Sequence, residues 1–301
     1  MIQLGCCTFD FRWLSLKEAL AFTRALGFER VDVGASGPGA QIDQMLAAQE
    51  PARVGARVRR LAEEQGLALN EFFACRMHPH GEGVLTNDPD PAVRRAILVH
   101  YRGLCQCAAE AGFDSIMSVP GDIQSDVSKE DSWNAAVEVL SGMVAIAGEY
   151  GIVPDVEPHR GSILQEPEAA LCMAQQVDGL RYTLDYAHFE GQGIDQSRVA
   201  VLHSYVSHMH AKPARPACPK CLWHENTIDF AAILANVAAQ GQDVVIAVET
   251  IGQFDEALGR PVYRTMPPDG EPTLAPGLAG HPVGQTMVVA YEVERILETL
   301  S

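Results

Sequence analysis

The chain has 301 residues, 47% hydrophobic and 20% charged, a globular balance with enough apolar surface for one large core or two ordinary ones. Its formal net charge of −17 argues against phosphate-backbone binding, so no nucleic-acid partner is expected, and it repels anionic membranes. The eight cysteines (Cys6, Cys7, Cys75, Cys105, Cys107, Cys172, Cys218 and Cys221) follow no framework, and no basic leader or long apolar run is present, so a reducing cytoplasmic location without a membrane span is expected.

Strand-like and helix-like segments then alternate from end to end. Residues 2–9 read as a strand and 16–26 as a helix stopped by Gly27; 30–34 is a second strand, 51–65 a helix and 67–75 a third strand. The basic run from Arg53 to Arg60 reads as a solvated helix face. A helix over 91–111 closed by Gly112 precedes a strand at 115–119 and a helix at 132–150 closed by Gly151. Next come strand 153–159, helix 167–177, strand 181–188, helix 197–203, strand 205–212, helix 230–240, strand 244–250 and a last helix over 284–300.

Eight strand–helix units with no break in composition predict one domain over 1–301, a closed (β/α)8 TIM barrel. A doubly wound sheet is the competitor, but it binds its ligand at one switch point rather than drawing residues from four strands. Three long loops follow strands, at 76–90, 213–227 and 251–282, on the side where specificity is usually built. The last carries Pro261, Pro267, Pro268, Gly270, Pro272, Pro276 and Gly277 and reads as an ordered lid or a partner-binding arm.

Four predicted strands close on metal-type ligands: Glu157, Asp185, the pair His208 and His210, and Glu249. Glu157 and Asp185 are 28 residues apart, Asp185 and His210 are 25, and His210 and Glu249 are 39. Ligands recurring once per unit at strand C-termini converge on one barrel mouth. Carboxylates with imidazole suit a hard divalent cation, Mn²⁺ or Mg²⁺ first and Co²⁺ or Zn²⁺ as alternatives. A purely zinc site more usually includes thiolate or further histidines.

Asp185 and His188, three residues apart, can reach one metal or substrate; the plainer reading makes Asp185 a cap and His188 an ordinary hydrogen-bonded histidine. His208, His210 and Lys212 alternate, so they share one strand face, and in a barrel interior such charge needs a partner. Cys218-Pro219-Lys220-Cys221 has no second pair to complete a zinc site; these cysteines read as structural or incidental, with a loop-stapling zinc as the alternative.

With these residues assembled, the chain resembles the xylose-isomerase-like superfamily of sugar isomerases and epimerases, which also contains the type-IV AP endonucleases. The resemblance covers nearly the whole chain, from Leu4-Gly5 and Gly27-Phe28-Glu29-Arg30-Val31-Asp32 to the series Glu157, Asp185-x-x-His188, His208-x-His210, Glu249. It implies that Glu157, Asp185, His210 and Glu249 hold the metal, that His188 touches substrate oxygens and that Arg215 sits over the substrate. His159, Lys212 and His208 are further candidates for binding substrate, with His159 and Lys212 also spare acids for a leaving group. Glu157 and Glu249 become the acid/base pair: the metal acidifies a C–H beside a ketone, one carboxylate takes the proton, and the other returns one to the enediolate.

Ala211-Lys212-Pro213 follows His210 where epimerases often carry Gly-Glu-x-Asn-Arg, and no glycine-bracketed turn precedes Ile228-Asp229-Phe230. DNA repair is not expected, because His208 replaces an aspartate of the endonuclease branch and the chain is strongly acidic. The leading expectation is a divalent-metal-dependent isomerase or epimerase with a small carbohydrate as partner. The second is a metal-dependent lyase or dehydratase on keto-sugars or 3-keto-glycosides, and the third a non-catalytic barrel subunit using the 251–282 arm. A homo- or hetero-oligomer is expected.

Overall fold

Eight short apolar runs become eight parallel strands: β1 (Ile2–Cys7), β2 (Arg30–Gly34), β3 (Ala68–Cys75), β4 (Ser115–Ser118), β5 (Val153–Val156), β6 (Arg181–Asp185), β7 (Val206–Ala211) and β8 (Val244–Val248). Each pairs with the next, and β8 closes on β1 with Cys6 opposite Val248. The computed structural model describes residues 1–35, 40–80, 83–267 and 271–300. Positions 81 and 82 of the loop after β3 and 268–270 of the long arm, which include Pro268 and Gly270, lie outside the described residues.

The connecting helices are α1 (Leu16–Ala25), α2 (Gln44–Gln49), α3 (Pro51–Glu63), α4 (Pro91–Ala111), α5 (Lys129–Tyr150), α6 (Pro167–Gln176), α7 (Tyr186–Glu190), α8 (Gln196–Val199), α9 (Phe230–Ala239) and α10 (Pro282–Leu300). Their ends follow local chemistry. Ser15 and Glu18 form a reciprocal capping box on α1. Asp90 caps α4 ahead of Pro91, and Gly112 ends it in the left-handed conformation, φ 91°.

Two differences from the sequence reading bear on the site. The run 181–188 is not one strand: it stops at Asp185, whose Oδ1 accepts the Ala187 N–H at 2.8 Å and opens α7, so His188 stands on a helix. The run 153–159 likewise stops at Val156, leaving Glu157 and His159 on the loop. The helix expected at 197–203 is a short α8 continued by a 3-10 turn over Ala200–Tyr205.

The 251–282 arm is ordered where described. It forms two hairpins, β9 (Gln253–Asp255) with β10 (Arg260–Val262) and β11 (Arg264–Thr265) with β12 (Thr273–Leu274). It docks on the loop after β7: the Tyr263 hydroxyl donates to the Cys221 carbonyl at 2.7 Å, and the Met266 N–H to the Lys220 carbonyl at 2.8 Å.

The main apolar core lies between strands and helices, with Leu20, Val58, Leu104, Leu140, Leu184 and Leu234 fully or almost fully enclosed. Each such side chain contributes about 1.5–3 kcal/mol. Within the ring of strands the lining is unusually polar for a barrel: Asp32, Glu71, Asp155, Thr183, His208 and His210 are all buried. Among the described residues no helix is long and apolar enough to cross a membrane.

Candidate metal and substrate site at the barrel mouth

Asp185 ends β6 directly opposite His210 on β7. Glu157 and Glu249 each lie one residue beyond their strands, yet their amides still donate to the neighbouring strand, at Ser118 and Ala211 respectively. The ladder therefore holds all four side chains in register at one level. One donor atom from each of Glu157, Asp185, His210 and Glu249 lies within 4.8 Å of the others, and all four residues are buried.

The donor set fits a hard divalent cation. It combines three carboxylates with an imidazole, and Asp185 Oδ2 has no hydrogen bond, lying between the Lys212 ammonium and the His188 ring. His210 shows which nitrogen faces this set: Nδ1 lies 3.1 Å from Glu157 Oε1 and 3.7 Å from Glu249 Oε2. Its Nε2 points the other way, 3.7 Å from Glu71 Oε2.

Lys212 is the cation the chain itself supplies. Its buried ammonium contacts Asp185 Oδ2 and lies 2.7 Å from Glu249 Oε2. Burial opposes this charge, but Asp185 and Glu249 outweigh it and hold the ammonium well above its usual range. In return, although burial alone would raise Glu249, Lys212 and His210 pull its carboxyl down to about 2. Burial dominates at Asp185, pushing it up to about 6 against the pull of Lys212. His188 is held well below the usual imidazole range, first by burial and then by Lys212, so at neutral pH it is a neutral ring.

Above the carboxylates lies a cavity of about 350 Å³ lined by Glu157, His159, His188, Lys212 and Glu249, with Phe9 and Phe73 as an apolar wall and Arg12, Cys75 and Ile251 at its rim. That is at the small end of ligand pockets, roughly 300–1,000 Å³. The His159 and His188 ring centres are 4.4 Å apart, so the two rings stand together at the cavity edge.

Two of the implied substrate contacts lie elsewhere. Arg215 is not among the residues lining this cavity; its guanidinium is 3.8 Å from Glu225, and its backbone pairs with Cys218 in a tight turn of the same loop. That turn directs it along the loop rather than over the site. His208 is two residues before His210 on one strand face, and so about 6.6 Å deeper. There it bonds Asp32 Oδ2 through Nε2 at 2.8 Å and borders a cavity of about 450 Å³ at the opposite end of the barrel. Cys218 and Cys221 are buried free thiols, and the Cys218 Sγ donates to the Lys220 carbonyl at 3.3 Å.

A second cluster, Asp32, Glu71, His208 and His210, lies beneath the first and shares His210 with it. Asp32 accepts from the Glu71 amide at 3.2 Å and from Asn70 Nδ2 at 3.4 Å. Glu71 Oε1 accepts the Thr183 hydroxyl, while Glu71 Oε2 and His210 Nε2 have no hydrogen bond. Burial, opposed by His208 and reinforced by Asp32, pushes Glu71 up to about 8. Glu71 thus stands behind the far nitrogen of His210, where a hydrogen bond between them would set the ring's tautomer. The sequence reading did not single out Glu71, although an inward carboxylate in the strand-like run 68–75, where Asn70 is the one other polar residue, is the same kind of signal that marked Glu249.

Comparisons with known proteins follow the same line. Solved structures similar to the chain include an L-ribulose 3-epimerase (17% identity, TM-score 0.72, covering 100% of this chain and 96% of that one). Another is a 3-keto-D-glucoside 4-epimerase from E. coli (14%, 0.69, 98% and 100%). A third is the D-psicose 3-epimerase of Clostridium cellulolyticum H10, solved with D-tagatose (15%, 0.64, 99% and 98%). At these identities the likeness establishes the fold. No curated protein matches the chain. Residues 20–261 match the family described as xylose isomerase-like TIM barrel; the chain belongs to that family.

Proposed function

We propose that the chain is a divalent-metal-dependent isomerase or epimerase of a sugar or keto-sugar, working through an enediolate. The observation that carries this reading is the convergence of Glu157, Asp185, His210 and Glu249 within 4.8 Å of one another, with Glu157 and Glu249 lining a small cavity. Mn²⁺ or Mg²⁺ best suits the oxygen-rich donor set. When bound, the cation supplies polarisation of a ketone and its neighbouring hydroxyl, acidifying the C–H between them.

The chain's own residues do the rest. Glu249, held ionised beside Lys212, is the proton acceptor, and Glu157 on the other side of the donor set returns a proton. The Lys212 ammonium and the neutral His188 ring donate hydrogen bonds to substrate oxygens that gain negative charge as the C–H proton leaves. Phe9 and Phe73 exclude water from one side of the cavity. A cytoplasmic location and assembly into a homo- or hetero-oligomer belong to the same reading.

One observation favours a second reading, a lyase or dehydratase acting on a keto-sugar or a 3-keto-glycoside. His159 stands beside His188 at the cavity edge, where it can protonate a leaving oxygen after the same C–H abstraction. Incubation of metal-stripped and metal-restored protein with ketoses and 3-keto-glycosides in D₂O separates the two. Deuterium beside the carbonyl with the carbon skeleton and all oxygens retained is the expected result. Loss of water or aglycone moves the assignment to the lyase, and no exchange with any substrate together with no bound metal refutes both.

A further inference from the structure

Ile251, two residues after Glu249, adopts φ 48°. That left-handed conformation is an outlier for a β-branched residue, and such strain persists only where the surroundings impose it. The surroundings are on two sides. Beneath, the buried Asp10, on the 3-10 turn over Thr8–Phe11 that follows β1, accepts the Thr250 amide at 2.8 Å and the Ile251 amide at 2.7 Å, both on Oδ1; its Oδ2 accepts the Thr250 hydroxyl at 2.8 Å. Above, the buried Lys220 donates from Nζ to the Ile251 carbonyl at 2.7 Å while its ammonium lies 4.6 Å from the centre of the Tyr263 ring.

The next residue is pressed in as well. A Cβ on Gly252 would lie 2.5 Å from the Asp10 carbonyl and 2.6 Å from Pro282, so the chain turns there by close backbone approach. On its strand side, the Glu249 N–H already donates to the Ala211 carbonyl at 3.1 Å.

We propose that Asp10 and Lys220 are positioning residues: they hold Thr250 and Ile251 in a strained turn and so aim the Glu249 carboxylate at the donor set. Neither belongs to the ligand set or lines the cavity; both act through the backbone. Because Lys220 is itself tied to the arm through Met266 and Tyr263, the clamp also links the arm to the site. The functional consequence rests on the metal-site reading above, whereas the clamp itself is a statement about the backbone.

The test compares Asp10→Ala, Asp10→Asn, Lys220→Met and Ile251→Gly. In Asp10→Ala the Mn²⁺ dissociation constant, measured by calorimetry, is expected to rise about tenfold, the low end for loss of a supporting partner. Asp10→Asn keeps an oxygen for both amides and should stay within about threefold of the parent chain. Adding Ile251→Gly to Asp10→Ala should recover most of the loss, because glycine adopts positive φ without a clamp; a merely structural Asp10 gives no such rescue.

Hydrogen exchange at the Thr250 and Ile251 amides should be at least about tenfold faster in Asp10→Ala. Unchanged affinity in a folded Asp10→Ala chain, or no recovery with glycine, overturns the positioning role. Should Asp10→Ala not fold, Lys220→Met decides, with weaker Mn²⁺ binding expected and unchanged binding contradicting the proposal. A parent chain that takes up no Mn²⁺ refutes the metal-site reading instead, and amide exchange alone then decides the clamp.

Discussion

The two clusters inside this barrel are built from the same residue types and share His210, yet they sit in opposite electrostatic conditions. At the mouth, Lys212 stands among the carboxylates and pulls Glu249 down to about 2. One layer below, Glu71 is pushed up to about 8, and the group beside Asp32 is the His208 imidazole, raised by Asp32 and Glu71 in spite of burial. Only the upper cluster borders the cavity that holds His159 and His188. The difference teaches that burial of acid and imidazole is not enough to mark a reaction site. What separates the two clusters is a carboxylate held low in pKa beside an open cavity, the ground on which the reaction is proposed at the mouth.

The comparison breaks most sharply at the paired glutamates. Glu157→Gln and Glu249→Gln are each expected to lower turnover by at least about 10²–10⁴-fold, the usual worth of a general acid or base. Near-normal turnover in either removes the acid/base assignment.

Lys212→Met comes next. It leaves Asp185 and Glu249 without their buried cation, which should cost about 3–5 kcal/mol in chelator, read by chemical denaturation. Glu249 has a depressed folded pKa, so its contribution is present above its ordinary value near 4.5 and lost as pH falls through about 2. The gap between Lys212→Met and the parent chain should therefore shrink as pH drops below 4.5; a gap independent of pH contradicts the pairing.

Glu71→Gln tests the lower cluster. The raised pKa of Glu71 means its stabilisation is complete below about 4.5 and lost as pH rises through about 8. Relative to the parent chain, the glutamine variant should thus gain stability between pH 4.5 and 8, on the order of 4 kcal/mol. Its Mn²⁺ affinity should fall about tenfold if Glu71 orients His210. The smallest effect is expected at Arg215, whose guanidinium faces partly exposed Glu225 at 3.8 Å: Arg215→Ala should change stability by less than about 0.5 kcal/mol.

Much of the barrel is legible in the sequence because period and punctuation agree. The helix over Pro91–Ala111 and the strand over Arg30–Gly34 have their expected limits, set by Pro91, Gly112 and a short apolar run. The mouth cluster is legible for a similar reason, since each candidate ligand lies at or near the end of a strand-like run at barrel spacing. What escapes are facts of depth and direction. His208 and His210 share a face, but only the closed barrel shows that one strand repeat places His208 against Asp32. The helical start at Asp185, the inward Glu71 and the turn at Arg215 depend on contacts between segments far apart in the chain. Lys212 reads as a substrate contact from its strand face; its position between Asp185 and Glu249 emerges only when β6, β7 and β8 are side by side.

The most direct test is a crystal structure of the chain grown with Mn²⁺, with the metal located by its anomalous scattering. One ion bonded to Glu157, Asp185, His210 Nδ1 and Glu249, with the His210 Nε2–H directed at Glu71, is the expected result. An ion held instead by Asp32, Glu71 and His208, or no ion in the barrel at a concentration that supports turnover, contradicts it.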